Sequence, residues 1–155
     1  MTQHRARRFL IVTAALVATL ATSSARAAGS CSIFTWSSVA FGTYDVMSSS
    51  PLDSTGAVLL TCDSAVTSIT VDLSRGNAST FNPRYMLNGS ARLNYNLFLD
   101  AARTTLWGDG TGGSSHYGPV YPPGLVFLTI YGRIPALQDL PAGSYTDTIV
   151  ATVNF

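Results

Sequence analysis

The sequence predicts an all-β protein, built as a sandwich of two sheets, on the basis of composition and segment pattern. The chain has 155 residues, contains no lysine and no glutamate, and has aspartate as its only acidic residue type. Helix surfaces are normally built from lysine and glutamate, whereas threonine, valine, tyrosine and phenylalanine favour strands. Short alternating segments between turn signals give about six or seven strands, which is typical of a sandwich.

The first 27 residues are predicted to be a secretory signal peptide. Residues 1–8 carry three arginines, residues 9–21 are apolar apart from two threonines, and Ala25-Arg26-Ala27 supplies small residues at the cleavage positions. A transmembrane anchor is the alternative, but the apolar run is shorter than the roughly 20 residues that a bilayer span needs. We therefore expect one domain over residues 28–155, with no stable membrane span. The protein would be exported to the periplasm and then to the cell surface or the extracellular space.

Removal of this leader would leave an acidic domain. Five arginines and eight aspartates remain after residue 27, which gives a net charge of −3 with histidine neutral. Nucleic acid is an unsuitable partner, because phosphate binding needs a basic patch. His116 is the one histidine after the leader, and with two thiols it matches no zinc pattern. No metal or other cofactor is predicted.

The two cysteines, Cys31 and Cys62, are predicted to form a disulfide bond. An even count in an exported domain favours pairing, with two free buried thiols as the alternative. The bond would close a loop of about 30 residues and contribute roughly 3–4 kcal/mol of stability. Cys62 alternates with Val58 and Leu60, so the bond is expected on the inward side of its strand.

Each strand is predicted from period-two alternation or a short apolar run. The strands expected before the last one cover residues 31–36, 39–44, 57–62, 68–73, 93–99 and 125–131, and residues 104–107 form a further short segment. The segment 39–44 could also continue the first strand after a kink. Residues 45–56, 77–90 and 108–124 are predicted to be loops, and 132–141 a connection. The near-continuous apolar run 125–131 predicts a strand that is buried on both faces.

The last strand, residues 143–155, follows a Pro-Ala-Gly turn and alternates. Its apolar face is predicted to consist of Tyr145, Ile149, Ala151, Val153 and Phe155, and Asp147 interrupts that face. A long apolar strand at a sheet edge needs a partner, because an unpaired edge attracts other chains. The question for function is which strand pairs with it.

Searches for catalytic or ligand-binding patterns favour structural explanations. The segment Gly108-Asp109-Gly110-Thr111-Gly112-Gly113 lacks the lysine of a phosphate loop and the several acids of a calcium loop, which predicts a hairpin loop. Ser115 and His116 are adjacent and cannot readily act as nucleophile and base. A sugar-binding platform is an alternative that would use aromatic residues, namely Trp36, Phe41, Tyr44, Tyr95, Phe98, Trp107 and Tyr131. We favour core or sheet-face positions for them, and we predict no enzymatic activity.

A set of short motifs runs along the whole predicted domain in a characteristic order. They are Cys31, Phe41-Gly42-Thr43-Tyr44, Leu60-Thr61-Cys62, Leu73-Ser74-Arg75-Gly76, Arg84-Tyr85-Met86, Leu93-Asn94-Tyr95-Asn96-Leu97-Phe98-Leu99-Asp100, Trp107-Gly108-Asp109-Gly110, Tyr131-Gly132-Arg133-Ile134-Pro135-Ala136-Leu137-Gln138 and Gly143-Ser144-Tyr145-Thr146-Asp147-Thr148. In this order, behind a signal peptide, the chain resembles the spore coat protein U domain family. That family includes subunits of archaic (Csu-type) chaperone–usher pili.

The resemblance implies an incomplete immunoglobulin-like β-sandwich that is completed by a strand donated from another chain. A periplasmic chaperone would lend this strand, and a neighbouring pilus subunit would replace it at the outer-membrane usher. The implied function is that of a structural subunit of a pilus (fimbria) or of a surface or spore coat, with roles in cell adhesion and biofilm formation. The residues that would contact the donated strand are Tyr145, Ile149, Ala151, Val153 and Phe155.

The segment before Cys31 departs from the pattern of a polymerising subunit. Only Ala28-Gly29-Ser30 separates the predicted cleavage site from Cys31, and Thr22 to Arg26 is mostly polar. We therefore expect a chain that accepts a strand without donating one, as a tip subunit or a coat protein would. The alternative functions are a secreted carbohydrate-binding module and a secreted hydrolase.

Overall fold

A computed structural model describes residues 29–121 and 124–155, so the predicted signal peptide lies outside the described residues. The strands are β1 (Cys31–Ser37), β2 (Leu52–Cys62), β3 (Ile69–Leu73), β4 (Arg84–Asn88), β5 (Ala91–Phe98), β6 (Tyr117–Val120), β7 (Gly124–Ile134) and β8 (Ala151–Asn154). The described ranges contain no helix. Accordingly, they hold no helix that is long and apolar enough to cross a membrane.

The strands form two antiparallel sheets. The larger sheet has the order β1-β2-β7-β5-β4, and the smaller sheet has the order β6-β3-β8. Long strands β2 and β7 pair over their full lengths, from Leu52 opposite Ile134 to Cys62 opposite Gly124. The edge strands of the two sheets are therefore β1 and β4 in one and β6 and β8 in the other.

Alternate residues of the central strands form one hydrophobic core between the sheets. Val58 and Leu60 of β2, Val71 of β3, Leu97 of β5 and Leu128 of β7 are all buried. This alternation follows from the pleat of a strand, in which successive side chains point to opposite faces. The predicted all-β class and the inward faces of residues 57–62, 68–73 and 93–99 are confirmed.

The predicted disulfide bond joins the first strand to the second. Cys31 lies opposite Cys62 in the β1–β2 register, and the two sulfurs are bonded at 2.04 Å. Cys62 is 6% exposed and belongs to the core, as its alternation with Val58 and Leu60 predicts. The bond therefore fixes the edge strand β1 to the body of the larger sheet.

Several predicted boundaries are wrong. Residues 39–44 form no strand, whereas residues 52–56, predicted as loop, are the first half of β2. The predicted loops 77–90 and 108–124 contain β4 and β6. The physical reason is tertiary pairing: β4 is stabilised by its ladder with β5, and residues 52–56, which are mostly polar, by their ladder with β7.

Strand β7 is also longer and more exposed than predicted. It continues to Ile134, so residues 132–134 are not part of a connection. Leu128 and Ile130 are buried, but Leu125 and Phe127 are 68% and 66% exposed. Burial of both faces was therefore a wrong prediction. Within the described residues, no element covers the outer face of the larger sheet at this end of β7.

The last segment is extended but is a regular strand only at its end. Thr146 exchanges backbone hydrogen bonds with Leu87 of β4, and Ser74 donates one to the Val150 carbonyl. Residues Ala151–Asn154 then pair with β3. The predicted single strand over residues 143–155 is thus a bridge to the larger sheet followed by the short strand β8.

A buried arginine holds the two sheets in register, a feature that the sequence did not reveal. Arg84 Nε donates to the Ser74 carbonyl at 3.0 Å, and its Nη2 donates to the Trp107 carbonyl at 2.6 Å. Trp107 in turn donates from Nε1 to the Val71 carbonyl at 2.8 Å. Burial lowers the pKa of Arg84 to about 10, and it remains cationic at neutral pH. These bonds fix β4 and the β3–β4 turn against the core.

Candidate functional site

A long apolar groove lies open along one side of the sandwich, between the edge strands β1 and β8. We call it the open groove. The part that lies between β1 and the segment leading into β8, which we call its main part, has a volume of about 590 Å³. Its floor is formed by core residues of both sheets, namely Val58, Leu73, Met86, Tyr95, Leu97 and Ile130. Ile33, Trp36 and Val39 line one wall, and Ile149 and Ala151 line the other.

The groove extends into a second part of about 880 Å³. Val39, Phe41 and Met86 line both parts, which makes the two continuous. The walls of the second part are the irregular segment from Val39 to Val46 and the segment from Leu140 to Tyr145. Phe41 packs edge-on against Tyr95, with ring centroids 6.0 Å apart. Val39, Phe41 and Tyr44 all pack against the core, which accounts for the apolar residues of a segment that forms no strand.

The wall formed by β1 exposes side chains on the core face of the sheet. Ile33 lies opposite Leu60 and Trp36 lies opposite Val58 in the antiparallel ladder, and opposed residues share a face. Leu60 and Val58 are buried, but Ile33 is 47% and Trp36 71% exposed. The core face of β1 is therefore left uncovered where the groove passes.

The five residues predicted to contact a donated strand lie along the other wall and beyond it. Tyr145, Ile149, Ala151 and Val153 are half-buried and pack against the core. Tyr145 lines the second part of the groove, and Ile149 and Ala151 line the main part. Val153 lies further along, opposite Val71. Phe155 follows the end of β8 and is 64% exposed. The structure thus brings Tyr145, Ile149 and Ala151 together along the groove.

Asp147 is the polar exception on this wall. It is half-buried like Tyr145 and Ile149, and it lines the main part of the groove. Its Oδ2 accepts a 2.7 Å hydrogen bond from the Tyr95 hydroxyl. Its Oδ1 accepts from the backbone N–H of Asn77 at 2.9 Å. Burial, followed by this hydrogen bond, raises the pKa of Tyr95 well above its ordinary value.

Sequence reasoning missed the opposite wall and one residue of the floor, Met86. Trp36 and Ile33 occur in an ordinary strand pattern, and nothing local indicates that their core face is uncovered. Met86 lies in a segment predicted to be a loop. The interruption of the last apolar face by Asp147 is visible in the sequence, and it marks the point where Tyr95 and the last segment meet.

The aromatic residues do not form an exposed platform. Trp107 is 1% exposed and Tyr95 is 4% exposed, so both belong to the core. Phe41 is half-buried in the groove, and the ring of Tyr131 lies under the guanidinium of Arg103. Trp107 and Tyr95 are therefore unavailable for the alternative sugar-binding platform. The core positions favoured for these aromatics hold for Trp107 and Tyr95, whereas Trp36 is exposed.

The residues considered for catalysis and ligand binding have local structural roles. His116 Nδ1 lies 3.9 Å from Asp72 Oδ1, and among the described residues no serine is hydrogen-bonded to it. In the glycine-rich loop, Thr111 donates its N–H and its hydroxyl to Asp109 Oδ1, which lowers the pKa of Asp109. Residues 29–121 and 124–155 contain no cluster of three metal-binding side chains.

Comparison with known proteins identifies relatives for nearly the whole domain. The model of the Spore Coat Protein U domain matches residues 16–152. Protein U of Myxococcus xanthus is 33% identical over 147 residues, covering 84% of this chain and 80% of that protein. The matched region begins inside the predicted signal peptide and ends within β8.

A solved structure gives the same fold. It is the chaperone–tip adhesion subunit pre-assembly complex CsuC-CsuE from archaic chaperone–usher Csu pili of Acinetobacter baumannii. One of its chains matches with a TM-score of 0.56 and 25% identity, covering 82% of this chain. The match covers 40% of that longer chain. The predicted all-β, immunoglobulin-like sandwich is confirmed. Together with the family match, these findings establish that the chain belongs to the Spore Coat Protein U domain family.

Proposed function

We propose that the protein is an exported structural subunit of a chaperone–usher pilus or of a surface or spore coat, and that its open groove accepts a β-strand from another chain. In this proposal residues 1–27 are the signal peptide and residues 28–155 are the assembling domain. Its membership of the Spore Coat Protein U domain family and its likeness to a pilus complex support an assembly role. We propose no catalytic role.

The exposure of Trp36 is the observation that carries the proposal. Trp36 belongs to the core face of β1, yet 71% of it is exposed. Burying apolar surface stabilises by about 25 cal/mol per Å², and an aromatic side chain can bury about 150–250 Å². A strand laid in the open groove would cover Trp36 and Ile33 together and complete the core.

The edges of the groove also offer backbone hydrogen bonds. β1 and β8 are edge strands of their sheets, and edge strands present unpaired N–H and C=O groups. An incoming strand could pair with these groups while its alternate side chains fill the apolar floor, which is recognition by β-strand addition. Tyr145, Ile149, Ala151, Val153 and Phe155 are the proposed contacts on the β8 side.

The proposed partners act in sequence on this groove. A periplasmic chaperone would supply the first strand and keep the apolar floor covered. A neighbouring subunit would supply the second strand during assembly at an outer-membrane usher, which would place the protein on the cell surface. The structural relative is a complex between a chaperone and a tip adhesion subunit, and this supports a chaperone as the first partner.

The proposal is tested by co-expressing the full chain with the periplasmic chaperone of its own source and measuring recovery of the complex. Ile149→Asp places a charge in the groove, whereas Val150→Asp is a matched control on the adjacent residue, whose side chain is 58% exposed. We expect wild type and Val150→Asp to co-purify with the chaperone. Recovery of Ile149→Asp should fall roughly ten-fold or more, because a buried unpaired carboxylate is costly.

A different result would contradict the proposal. If wild-type protein neither co-purifies with the chaperone nor gains stability when the chaperone is present, the groove is not an acceptor site. Equal recovery of the Ile149 and Val150 variants would likewise show that the chaperone binds elsewhere.

A further inference from the structure

Asp147 creates one polar position in an otherwise apolar stretch of the open groove. It lies between Tyr145 and Ile149 in the alternation of the last segment, and all three are half-buried on the same side. Asp147 and Ile149 line the main part of the groove, and Tyr145 lines the adjoining part. A strand lying along this wall would pass apolar contacts, then the carboxylate, then apolar contacts again.

The carboxylate is held in place but keeps acceptor capacity. Oδ1 accepts two backbone N–H groups, from Asn77 at 2.9 Å and from Thr148 at 2.7 Å. Oδ2 accepts only the Tyr95 hydroxyl among the described residues. An ionised carboxylate has about four acceptor positions, so Oδ2 has one left. No described arginine or histidine forms an ion pair with Asp147.

We propose that Asp147 determines which strands the groove accepts. The preferred strand is apolar at its other groove-facing positions and carries serine, threonine, asparagine or lysine beside Asp147. This inference rests on the proposed strand-accepting function and adds the chemistry of the partner. A donor side chain would satisfy Oδ2 when the strand displaces water. An apolar side chain would leave that acceptor position of Oδ2 unsatisfied, and the carboxylate would repel an acidic side chain.

The same position fixes the register of the bound strand. A strand with uniform apolar alternation can slide by two residues and bury the same kind of surface, because its side chains repeat with period two. One donor side chain pairs with Asp147 in only one of these registers. A single polar contact therefore aligns the partner along the groove, as buried polar residues do in other paired structures.

The test is a polar scan of a synthetic groove-filling strand with the unaltered full-length protein. The peptides alternate valine with threonine, carry lysines outside the strand for solubility, and replace one groove-facing valine at a time by serine or by aspartate. We expect the peptide with serine at one particular position, which we call the tolerant position, to bind as tightly as the all-valine peptide or more tightly. The peptides with serine at the other positions should bind about ten-fold more weakly than the all-valine peptide, because burying an unpaired hydroxyl lowers the affinity by at least that factor. Aspartate at the tolerant position should give the largest loss.

Variants of the groove provide a second measurement. Asp147→Leu should abolish the advantage of the tolerant serine position, whereas Asp139→Asn, at an exposed aspartate outside the lining of the groove, should leave the scan unchanged. If every serine position weakens binding equally in the unaltered protein, Asp147 does not select the partner, although the groove still accepts strands. If no peptide of the panel binds, the strand-accepting function itself is overturned.

Discussion

The hydroxyl of Tyr95 donates a 2.7 Å hydrogen bond to Oδ2 of Asp147. This bond joins strand β5 of the larger sheet to the segment that leads into β8, across the floor of the open groove. Tyr95 is 4% exposed, and burial raises its pKa well above the ordinary value of 10. The phenol therefore remains a protonated donor throughout the physiological pH range.

Replacing Tyr95 by phenylalanine should destabilise the domain without changing its fold. The substitution removes one hydrogen bond to a charged acceptor, and such bonds contribute about 1.5–3 kcal/mol. Urea unfolding followed by fluorescence measures the loss. Tyr121→Phe is the matched control, because Tyr121 is 78% exposed and surface changes usually stay within about 0.5 kcal/mol. Equal stability of the two variants would mean that the Tyr95–Asp147 bond contributes nothing.

Gly76 should tolerate alanine less well than Gly89 does. Both have a positive φ, of 61° and 58°, so alanine strains the backbone at either position by about 1–2 kcal/mol. A methyl group at Gly76 would also collide with the carboxylate of Asp147, whereas at Gly89 it would meet nothing within 4 Å. We expect a larger fall in the unfolding midpoint for Gly76→Ala.

The effects of Gly76→Ala and Tyr95→Phe on stability should not be independent, because both changes act on Asp147. Gly76→Ala displaces the acceptor that Tyr95 uses, so combining it with Tyr95→Phe should cost less than the sum of the single changes. Strict additivity in this double-mutant cycle would show that the methyl group does not act through Asp147.

Removing the disulfide bond should lower stability by about 3–4 kcal/mol, as the chain-entropy model gives for a loop of this length. The bonded cysteines are 31 residues apart in sequence. Chemical denaturation of wild type with and without reductant measures the effect. The double variant Cys31→Ser, Cys62→Ser should match reduced wild type and should not respond to reductant. A response of that variant would point to an effect of the reductant unrelated to this bond.

Asp100 should contribute to stability at neutral pH and lose that contribution in acid. Its carboxylate accepts the backbone N–H groups of Thr105 and Thr104 and the Thr104 hydroxyl. The Thr105 N–H is the largest cause that lowers its pKa from 3.8 to about 2. Because the folded-state pKa lies below the unfolded value, the contribution is complete well above 3.8 and disappears as the pH falls through about 2.

Asp100→Asn tests this pH dependence. The free energy of unfolding of wild type should exceed that of the variant near neutral pH, and the two should converge as the pH approaches about 2. Asp139→Asn, at an exposed aspartate, is the control and should not show the same convergence. A difference between wild type and Asp100→Asn that is constant with pH would contradict the assignment.

Alternation was sufficient to predict the strands that fill the core. Clear inward faces are predicted for residues 57–62, 68–73 and 93–99, and the structure confirms them. The prediction succeeds because alternation within a short segment is enough to show which of its two faces is buried. The segments that form β4 and the start of β2 show no such alternation. They are strands because β5 and β7 supply hydrogen-bonding partners from elsewhere in the chain.

The groove could be predicted from one side only. The last segment showed its apolar face, including Ile149 and Ala151, directly in the sequence. The wall formed by Ile33 and Trp36 could not be recognised, because their exposure depends on which strands flank β1 in three dimensions. For the same reason Phe127 looked buried, although its side of the sheet is open.

The two walls of the open groove come from segments that are far apart in sequence, one around Trp36 and the other around Ile149. Joining distant segments requires closure of a long loop, and chains that depend on such contacts fold slowly. The β4–β5 hairpin, by contrast, is local. We therefore expect the groove to form late in folding, after both sheets have assembled. A partner that binds there would act as a kinetic checkpoint, since it would recognise only chains that have finished folding.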